Sequence, residues 1–375
     1  MPDTTQTIHS LLTPEGELRL TIDDEPLGEV GPGDVVVRVE ATPINPSDLG
    51  GLLGPADIST LSGDTSTGRP VATAGVPADL MPFVAVRVGD PVAPGGEGAG
   101  TVVQAGEDAQ HLLGKVVAMR GGGLYTRYRR LPGAEVVPFP DGITARQAAA
   151  SFVNPLTALG MVSTMRLEGH TALVHTAAAS NLGQMLNKVC IADGVELVNV
   201  VRSEEQAAIL EGIGAKRIVN STSPDFQAEL TAAVGDAGAT LAFDAVGGGP
   251  LAGQILAAME AALTAKAPPT SQYGSPTHKQ VYVYGRLDFG PTTVLASAAG
   301  MAWGMGGWLL PYHLARIGAE ATQELIARVV SEITTTFASS YTREISLEEA
   351  LEPEVIRGYQ RKATGEKYLI VPSKG

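Results

Sequence analysis

Cysteine is nearly absent from this chain, which has only Cys190 among its 375 residues. A single thiol excludes an internal disulfide framework and a structural zinc site built from cysteines. Cys190 falls on the apolar face of a predicted helix, so we expect it to be buried in packing. A chain without disulfides fits a reducing compartment, and we expect the cytoplasm.

Positive charge is also scarce. The chain has 26 Lys and Arg against 40 Asp and Glu, a formal net charge of −14. Acidic proteins are poorly suited to nucleic acid phosphates and to anionic lipid surfaces, so neither is expected as a main partner. The sequence shows no internal repeat or low-complexity tail, and its polar start predicts no secretory signal.

One long segment, from Phe289 to Ala315, contains no Asp, Glu, Lys or Arg. It is long enough to span a bilayer. However, glycines and prolines interrupt it, and it carries His313. We therefore expect buried chain at a domain or subunit junction and no membrane anchor.

The most informative stretch runs from Thr171 to Gly212. An apolar run ending at His175 precedes a loop of small residues, a helical pattern and a second apolar run ending at Val201. Strand, tight loop, helix and strand form the unit that binds a dinucleotide pyrophosphate at a helix N-terminus. Only Gly183 of the usual three loop glycines remains, so an ordinary strand–turn–helix is the alternative.

The residue that reads the adenosine ribose is expected about 20 positions after the last loop glycine. Counted from Gly183, this residue is Arg202. An acidic residue there would bind a free 2′-hydroxyl, whereas arginine pairs with a 2′-phosphate. The sequence therefore predicts NADPH as the coenzyme, with a solvated surface arginine as the alternative.

The alternation of short β-rich segments with helical stretches after Arg202 predicts a parallel sheet with crossover helices. Before Thr157, strands separated by Gly/Pro turns predict a compact β-rich domain, a distorted barrel. A last strand, Tyr368–Val371, is expected to return to this first domain. The predicted fold class is therefore α/β, with a Rossmann-type parallel-sheet domain and a β-rich barrel domain.

These patterns place residues 1–157 and 311–375 in the β-rich catalytic domain, and residues 158–310 in the NADPH-binding domain. The cleft between them is expected to hold the nicotinamide and the substrate. Residues 55–94 form a polar insertion, with Phe83–Val88 as a strand. Because long loops are usually functional or mobile, we expect either a cover over the cleft or a disordered loop.

Four motifs resemble the medium-chain dehydrogenase/reductase superfamily. They are ATPINPSDL at Ala41–Leu49, GGEGAG at Gly95–Gly100, VNPLTA at Val153–Ala158 and the HTAAASNLGQ loop. Within that superfamily, the chain is most similar to zinc-independent quinone oxidoreductases and 2-enoyl thioester reductases. The resemblance implies a catalytic domain folded like the GroES barrel, a Rossmann domain and a homodimer.

Zinc-dependent relatives carry a cysteine ligand in the early loop and a Gly-His-Glu motif. Here the corresponding positions are Asn45 and Gly95-Gly96-Glu97, so both ligands are missing. The six histidines are scattered without ligand spacing. We therefore expect no metal, and without one the Lewis acid of the alcohol dehydrogenase reaction is lost.

The resemblance also implies coenzyme contacts. Asn45 would lie beside the nicotinamide ribose, and an Asx turn is its alternative. Thr157 would contact the nicotinamide amide while also serving as a helix-start hydroxyl. The other expected contacts are Ser180, Asn181 and Gly183 at the pyrophosphate, Asn220 on the adenosine side or as a surface cap, and Val246, Tyr284 and Gly285 beside the nicotinamide.

Reduction of a conjugated C=C needs a proton as well as a hydride. The enoyl reductases carry a tyrosine shortly after the NPSD motif, but the matching stretch GGLLGPAD has none. Tyr125 is the remaining candidate for the catalytic acid, with simple packing, or a proton from solvent, as alternatives. Met301 and Trp303 resemble a loop that walls the substrate pocket, and core packing is the alternative for them.

The expected function is therefore NADPH-dependent hydride transfer, without zinc, to a quinone or an activated C=C in an enone or enoyl compound. Positioning and exclusion of water would carry most of the catalysis. The alternative is a structural or regulatory NADPH-binding protein with little turnover.

Overall fold

The computed structural model describes residues 2–66, 68–266 and 272–374. The chain divides into two compact units. The β-rich unit is Met1–Val153 with Val330–Gly375, and the parallel-sheet unit is Asn154–Val329.

The strands follow one another along the chain and are numbered in that order. They are β1 (Thr4–Leu12), β2 (Glu17–Pro26), β3 (Asp34–Pro43), β4 (Ser62–Asp64), β5 (Val71–Gly75), β6 (Glu97–Ala105), β7 (Val116–Arg120), β8 (Tyr128–Pro132), β9 (Val137–Pro138), β10 (Ala172–Thr176), β11 (Glu196–Val201), β12 (Arg217–Asn220), β13 (Leu241–Asp244), β14 (Gly247–Gly249), β15 (Lys279–Val283), β16 (Asp288–Thr292), β17 (Trp303–Gly307), β18 (Arg343–Ile345) and β19 (Tyr368–Ile370).

The α-helices are numbered in the same way. They are α1 (Asp48–Leu52), α2 (Ala145–Ala148), α3 (Val153–Leu167), α4 (Asn181–Asp193), α5 (Glu204–Glu211), α6 (Phe226–Ala237), α7 (Leu251–Lys266), α8 (Leu310–Ser331) and α9 (Pro353–Gln360). Short 3₁₀ helices occupy Ile58–Thr60, Met81–Arg87, Glu107–Leu112, Gly133–Glu135, Ala296–Ala298 and Glu349–Leu351.

The β-rich unit contains two sheets. One has the order β1-β2-β5-β4, and the other has the order β18-β19-β3-β6-β7-β9, with β8 also paired to β3. β19 runs antiparallel to β3, with Ile370 opposite Thr42. The predicted return of the last strand to this part of the fold is therefore confirmed.

The insertion at 55–94 is structured. β5 pairs with β2 and with β4, so the insertion extends a sheet; Thr67 lies outside the described residues. The predicted strand Phe83–Val88 is wrong, because Met81–Arg87 is a 3₁₀ helix with a proline in its first turn. Proline cannot donate to a β ladder, and its fixed φ suits a helix start.

The parallel-sheet unit contains six strands in the order β12-β11-β10-β13-β15-β17, and every neighbouring pair is parallel. All strands therefore end at one edge, which we call the carboxyl edge, and begin at the opposite amino edge. β10 is buried along its whole length, as a continuous apolar run predicts for a central parallel strand. The predicted α/β fold class is confirmed.

Most of helix α8 belongs to a different unit from the one that the sequence predicts. Residues 311–329 were expected in the β-rich domain, but they belong to the parallel-sheet unit. His313 near the start of α8 is buried, and its Nδ1 lies 3.1 Å from the hydroxyl of Thr164 on α3. This polar contact and the neighbouring Trp308 ring, 5.8 Å from the imidazole, hold α8 to the unit.

The charge-free segment from Phe289 to Ala315 is not buried within the single chain. Phe289 is 81% exposed, Met301 73% and Tyr312 76%. The segment supplies the last strand of the sheet, β17, and the exposed strand β16. Burial of this segment at a subunit junction stays a prediction, because these exposures are those of a single chain. Within the part of the chain that the structure describes, no helix has the length and apolar character needed to cross a membrane.

Candidate functional site

The loop between β10 and α4 brings a helix N-terminus to the carboxyl edge. Ser180 is the N-cap of α4, and its Oγ accepts the backbone N–H of Gly183 at 3.1 Å. Ala177 in the same loop has a φ of 51°, a left-handed conformation that is strained for a residue with a Cβ. The loop is thus held in one unusual shape directly before the helix.

The start of α4 fits a phosphate group. Ser180 and Asn181 stand at this turn, and the first turn carries no acidic side chain. Free N–H groups and the positive end of the helix dipole favour an anion there. The residues present therefore fit a dinucleotide pyrophosphate, as the sequence predicts.

Gly183 has a different role from the predicted pyrophosphate contact. A Cβ at this position would clash with the carbonyl oxygen of Ala178, so only glycine lets α4 approach the loop. Its N–H is already bonded to the Ser180 hydroxyl. The structure therefore makes Gly183 a packing residue.

Arg202 directly follows β11 at the carboxyl edge. Its backbone N–H donates to Oε1 of Gln206 at 3.0 Å, which fixes the chain at this point. The side chain is exposed, and no described residue forms an ion pair with its guanidinium. A free guanidinium beside the start of α5 fits the 2′-phosphate of an adenosine ribose.

Asn220, at the end of β12, makes three side-chain hydrogen bonds to its neighbours. Its Nδ2 donates to Glu204 Oε1 at 2.7 Å, and its Oδ1 accepts from the backbone and hydroxyl of Thr222. These bonds support the surface-cap alternative. The second N–H of Nδ2 has no partner among these bonds, so the adenosine contact at Asn220 stays a prediction.

The loops after β13 and β15 are bonded to each other. Asp288 donates its N–H to the carbonyl of Val246 at 2.9 Å, and Leu287 donates to that of Ala245. A Cβ on Gly285 would lie 2.6 Å from the Ala245 carbonyl oxygen, so the close approach requires glycine. Val246, Tyr284 and Gly285 therefore share one surface at the carboxyl edge.

Asp244 holds this surface together. Its carboxylate accepts the hydroxyl of Thr176 at 2.7 Å and the backbone N–H groups of Val246 and Gly247. The side chain is fully buried. These three donors support the structural role that a paired carboxylate has at this position.

His175 is a residue whose role the sequence did not predict. It is fully buried on β10, and its Nε2 lies 2.8 Å from the hydroxyl of Tyr284. Burial lowers the pKa of the imidazole to about 3, so it is neutral at physiological pH. The available signal was one titratable residue ending an otherwise apolar run.

Two residues predicted for the substrate pocket lie at the other edge. Trp303 pairs in register with Lys279, the first residue of β15, and therefore lies at the amino edge with Met301 before it. This expectation was wrong because residues 303–307 form a strand and not a loop. Trp308, which follows that strand, lies at the carboxyl edge, where its Nε1 donates to Thr164 Oγ1 at 3.0 Å.

Thr157 lies on the second turn of α3 and is 8% exposed. A threonine hydroxyl near a helix start serves the helix and a ligand equally well, so the predicted coenzyme contact at Thr157 stays a prediction.

The β-rich unit contains a buried polar cluster around Asn45 and Glu97. Asn45 is 1% exposed, and its Nδ2 donates to Glu97 Oε1 at 2.7 Å. Glu97 Oε2 accepts the N–H groups of Phe152 and Val153 at 2.8 and 2.9 Å. Asn45 Oδ1 is buried without a partner among the described residues, so it is a free acceptor for a ligand hydroxyl.

Asp48 closes the turn at the same cluster. Its Oδ2 accepts the N–H of Asn45 at 2.8 Å, and its Oδ1 accepts the N–H of Gly96 at 2.9 Å. The Asx turn that was the alternative for Asn45 is not formed, because Asn45 Oδ1 accepts no hydrogen bond among the described residues and the Asp48 side chain caps the turn instead. Burial raises the pKa of both Asp48 and Glu97.

Tyr125 does not have a free hydroxyl. It is fully buried, and its OH donates to Asp48 Oδ2 at 3.1 Å. Burial and the neighbouring Asp48 carboxylate raise its pKa well above the usual range. The prediction that Tyr125 is the catalytic acid is therefore corrected, because its proton is committed to Asp48 inside the core.

Tyr125→Phe should lower the free energy of unfolding by about 1–2 kcal/mol, because the buried carboxylate loses one donor. NADPH affinity should not change. Calorimetric unfolding of the variant and titration with NADPH measure the two effects. Tyr128→Phe, on a partly exposed tyrosine of β8, is the matched control. Unchanged stability together with lost activity would restore the catalytic role.

Lys367 is the second residue whose role the sequence did not predict. Its Nζ is buried without a hydrogen-bond partner among the described residues and lies 5.3 Å from the centre of the Tyr341 ring. Burial lowers its pKa to about 8, while the Glu97 and Asp48 carboxylates act in the opposite direction. The signal was a lysine immediately before the last buried strand.

The cluster does not fit a zinc site. The oxygens of Glu97 and Asp48 accept hydrogen bonds from amide and hydroxyl donors, and Asn45 and Gly96 offer neither thiolate nor imidazole. Zinc prefers such nitrogen and sulfur ligands. In residues 2–66, 68–266 and 272–374, no three His, Cys, Asp or Glu side chains are grouped to hold a metal ion.

Comparison with known proteins places this geometry in context. The family model for zinc-binding dehydrogenases matches residues 182–288. Prostaglandin reductase-3 of Mus musculus is 27% identical over 361 residues, which cover 93% of this chain and 84% of that protein. The synaptic vesicle membrane protein VAT-1 homolog of Rattus norvegicus is 28% identical over 225 residues, 58% of this chain. The chain spans about half the length of that relative, 48%.

The fold is also similar to solved structures. A protein of Mesorhizobium loti assigned as an NADPH:quinone reductase is 26% identical, with a TM-score of 0.72 over 99% of both chains. The match covers both units of the chain. The combination of a parallel-sheet unit and a β-rich unit is therefore shared with that structure.

Proposed function

Because the chain belongs to the medium-chain dehydrogenase/reductase superfamily, we propose that it is an NADPH-dependent reductase. Its acceptor is a quinone or an activated C=C of an enone or enoyl compound. The observation that carries the proposal is the unpaired, exposed guanidinium of Arg202 at the carboxyl edge. The names of the similar reductases support the same chemistry.

The carboxyl edge supplies groups for both ends of the coenzyme. The start of α4 would hold the pyrophosphate, and Arg202 would pair with the 2′-phosphate. The joined loops that carry Val246, Tyr284 and Gly285 would support the nicotinamide. When bound, the reduced nicotinamide supplies a hydride. The chain's own residues bind, orient and exclude water.

The proposal does not include zinc. In the cluster of Asn45, Asp48 and Glu97, the carboxylate oxygens already accept hydrogen bonds from amide and hydroxyl groups. Nothing in this cluster polarises an acceptor as a Lewis acid would. The proposal is therefore limited to acceptors that are activated already, such as quinones and conjugated carbonyl compounds.

The proposed function predicts that the protein oxidises NADPH when a suitable acceptor is added. The test follows NADPH absorbance with a panel of quinones, enones and enoyl thioesters, with NADH as the matched coenzyme. Turnover with at least one acceptor, and preference for NADPH, are expected. Tight NADPH binding without oxidation by any acceptor would instead favour a structural or regulatory NADPH-binding protein.

We also propose a homodimer that forms through β17. This strand is the last of the six-stranded sheet, so one side of its backbone is unpaired within the described chain. Met305 on β17 is 41% exposed, and Leu309 after it is 51% exposed. An exposed strand edge with apolar side chains favours pairing with a second copy.

Met305→Lys should weaken the homodimer at least about 10-fold, because a charge on an edge strand opposes pairing. Sedimentation equilibrium of the wild type should give the mass of two chains. The variant should be monomeric at protein concentrations at which the wild type is still a dimer. Ile191→Lys, at an exposed position on α4, is the control. A monomeric wild type would refute the dimer.

The single cysteine supports a reducing location. Cys190 is free and buried, and burial raises its pKa to about 12, so the thiol is unreactive. A protein without disulfides is suited to the cytoplasm, which we propose as its location.

A further inference from the structure

His175 and Tyr284 form a pair at the carboxyl edge. The two rings are stacked, with centroids 5.7 Å apart and an angle of 19° between their planes. Nε2 of His175 lies 2.8 Å from the Tyr284 hydroxyl oxygen. The bond passes across β13, which lies between their two strands. A hydrogen bond over a neighbouring strand orients the phenol relative to the whole edge.

The environment of His175 decides which atom donates. The neutral ring carries one proton, and its Nδ1 is buried without a partner among the described residues. A proton on Nδ1 would leave a buried N–H unsatisfied, which is rarer in proteins than an unsatisfied acceptor. The proton therefore lies on Nε2, and the imidazole donates to the Tyr284 oxygen. The phenol proton is left free to bond elsewhere.

We propose that Tyr284 is a catalytic residue whose hydroxyl donates a hydrogen bond to the acceptor oxygen on which negative charge develops. His175 is the positioning residue that holds this hydroxyl. The inference rests on the proposed reductase function and extends it to the group that was missing from the sequence. Tyr284 directly follows β15 at the carboxyl edge and is partly buried, and His175 Nε2 is the one side-chain partner of its hydroxyl among the described residues.

The chemistry balances without a strong acid in the protein. A bound reduced nicotinamide would supply a hydride for a new C–H bond on the acceptor, and the π electron pair of the acceptor would move to its carbonyl oxygen. The Tyr284 hydroxyl stabilises this oxyanion and keeps its own proton. Burial and the nearby Asp244 carboxylate raise its pKa, which suits a donor that does not ionise. Water then protonates the neighbouring carbon or, for a quinone, the oxygen.

Tyr284→Phe should lower kcat about 100-fold, the usual effect of removing one oxyanion donor. The dissociation constant for NADPH should stay unchanged. Tyr282→Phe is the matched control, since Tyr282 lies two residues earlier, on β15, and its hydroxyl bonds to Glu168 at 3.0 Å. It should keep the wild-type kcat.

The positioning role has its own variants. His175→Gln retains an N–H donor and should lower kcat less than about 10-fold, whereas His175→Leu removes the donor and should act like Tyr284→Phe. Rescue by glutamine would not follow from a packing role alone. Equal rates for the two His175 variants would refute this step.

Nitrogen NMR of the isotope-labelled histidines tests the pair without any turnover, with His175→Gln identifying the signal. A proton on Nε2 at neutral pH is expected. A proton on Nδ1 would overturn the inference, and so would a wild-type kcat in Tyr284→Phe. If none of the tested acceptors supports oxidation of NADPH by the wild type, the proposed function fails and this inference fails with it. If the wild type is active and Tyr284→Phe has the same kcat, the reductase function stands and only the role of Tyr284 is refuted.

Discussion

Arg202→Asp should raise the dissociation constant for NADPH about 100-fold and leave that for NADH within about 2-fold. A guanidinium that pairs with phosphate is worth about 1.5–3 kcal/mol, and an aspartate in its place adds repulsion. A change of 1.4 kcal/mol is tenfold in affinity. NADH lacks the 2′-phosphate, and the aspartate carboxylate can accept a hydrogen bond from its free 2′-hydroxyl.

Titration of the purified protein with each coenzyme, followed by fluorescence, measures both constants. Lys216→Asp is the matched control, because Lys216 is an exposed basic residue before β12, at the amino edge of the same sheet. It removes the same charge but should leave both constants unchanged. Equal losses for NADPH and NADH in Arg202→Asp would refute the assignment to the 2′-phosphate.

The segment from β10 to β11 was predictable because its signals are local. An apolar run, the Ser180 cap and the Gly194 end, with its φ of 65°, each act within one turn of the chain. The position of Arg202 then follows from the parallel register of two adjacent strands. Local patterns of this kind can be read from the sequence because they depend on neighbouring residues and not on contacts with distant parts of the chain.

The register of β17 could not be predicted in this way. The segment around it contains no charges, and its apolar residues have no clear period. Trp303 begins the five-residue strand β17, and Trp308 directly follows its last residue. Only the pairing of Trp303 with Lys279 decides which ring reaches the carboxyl edge. The sequence offered both rings and no means to choose.

The buried polar cluster was invisible for another reason. Asn45 and Glu97 are 52 positions apart, and Lys367 comes from the far end of the chain. Carboxylates are usually exposed to solvent. Those of Glu97 and Asp48 are tolerated in the interior because amide donors form hydrogen bonds with them. The sequence identified Asn45 and Glu97 as replacements for zinc ligands but could not show that they bond to each other.

Acid should destabilise the parallel-sheet unit through His175, and His175→Gln should reduce this effect. Burial lowers the pKa of His175 to about 3 in the folded protein, against a value of 6.5 for a solvated histidine. Between these values the unfolded chain binds a proton that the folded chain does not. The stability is therefore fully present above pH 6.5 and is lost progressively as the pH falls toward 3.

The expected loss from this one group is about 2 kcal/mol at pH 5, since each pH unit below 6.5 costs about 1.4 kcal/mol. Urea unfolding followed by tryptophan fluorescence measures the stability of the parallel-sheet unit, because both tryptophans, Trp303 and Trp308, lie in that unit. His111→Gln, at an exposed histidine of the β-rich unit, is the control. If His175→Gln loses as much stability as the wild type between pH 7 and 5, the imidazole is not buried and neutral, and its proposed hold on Tyr284 fails as well.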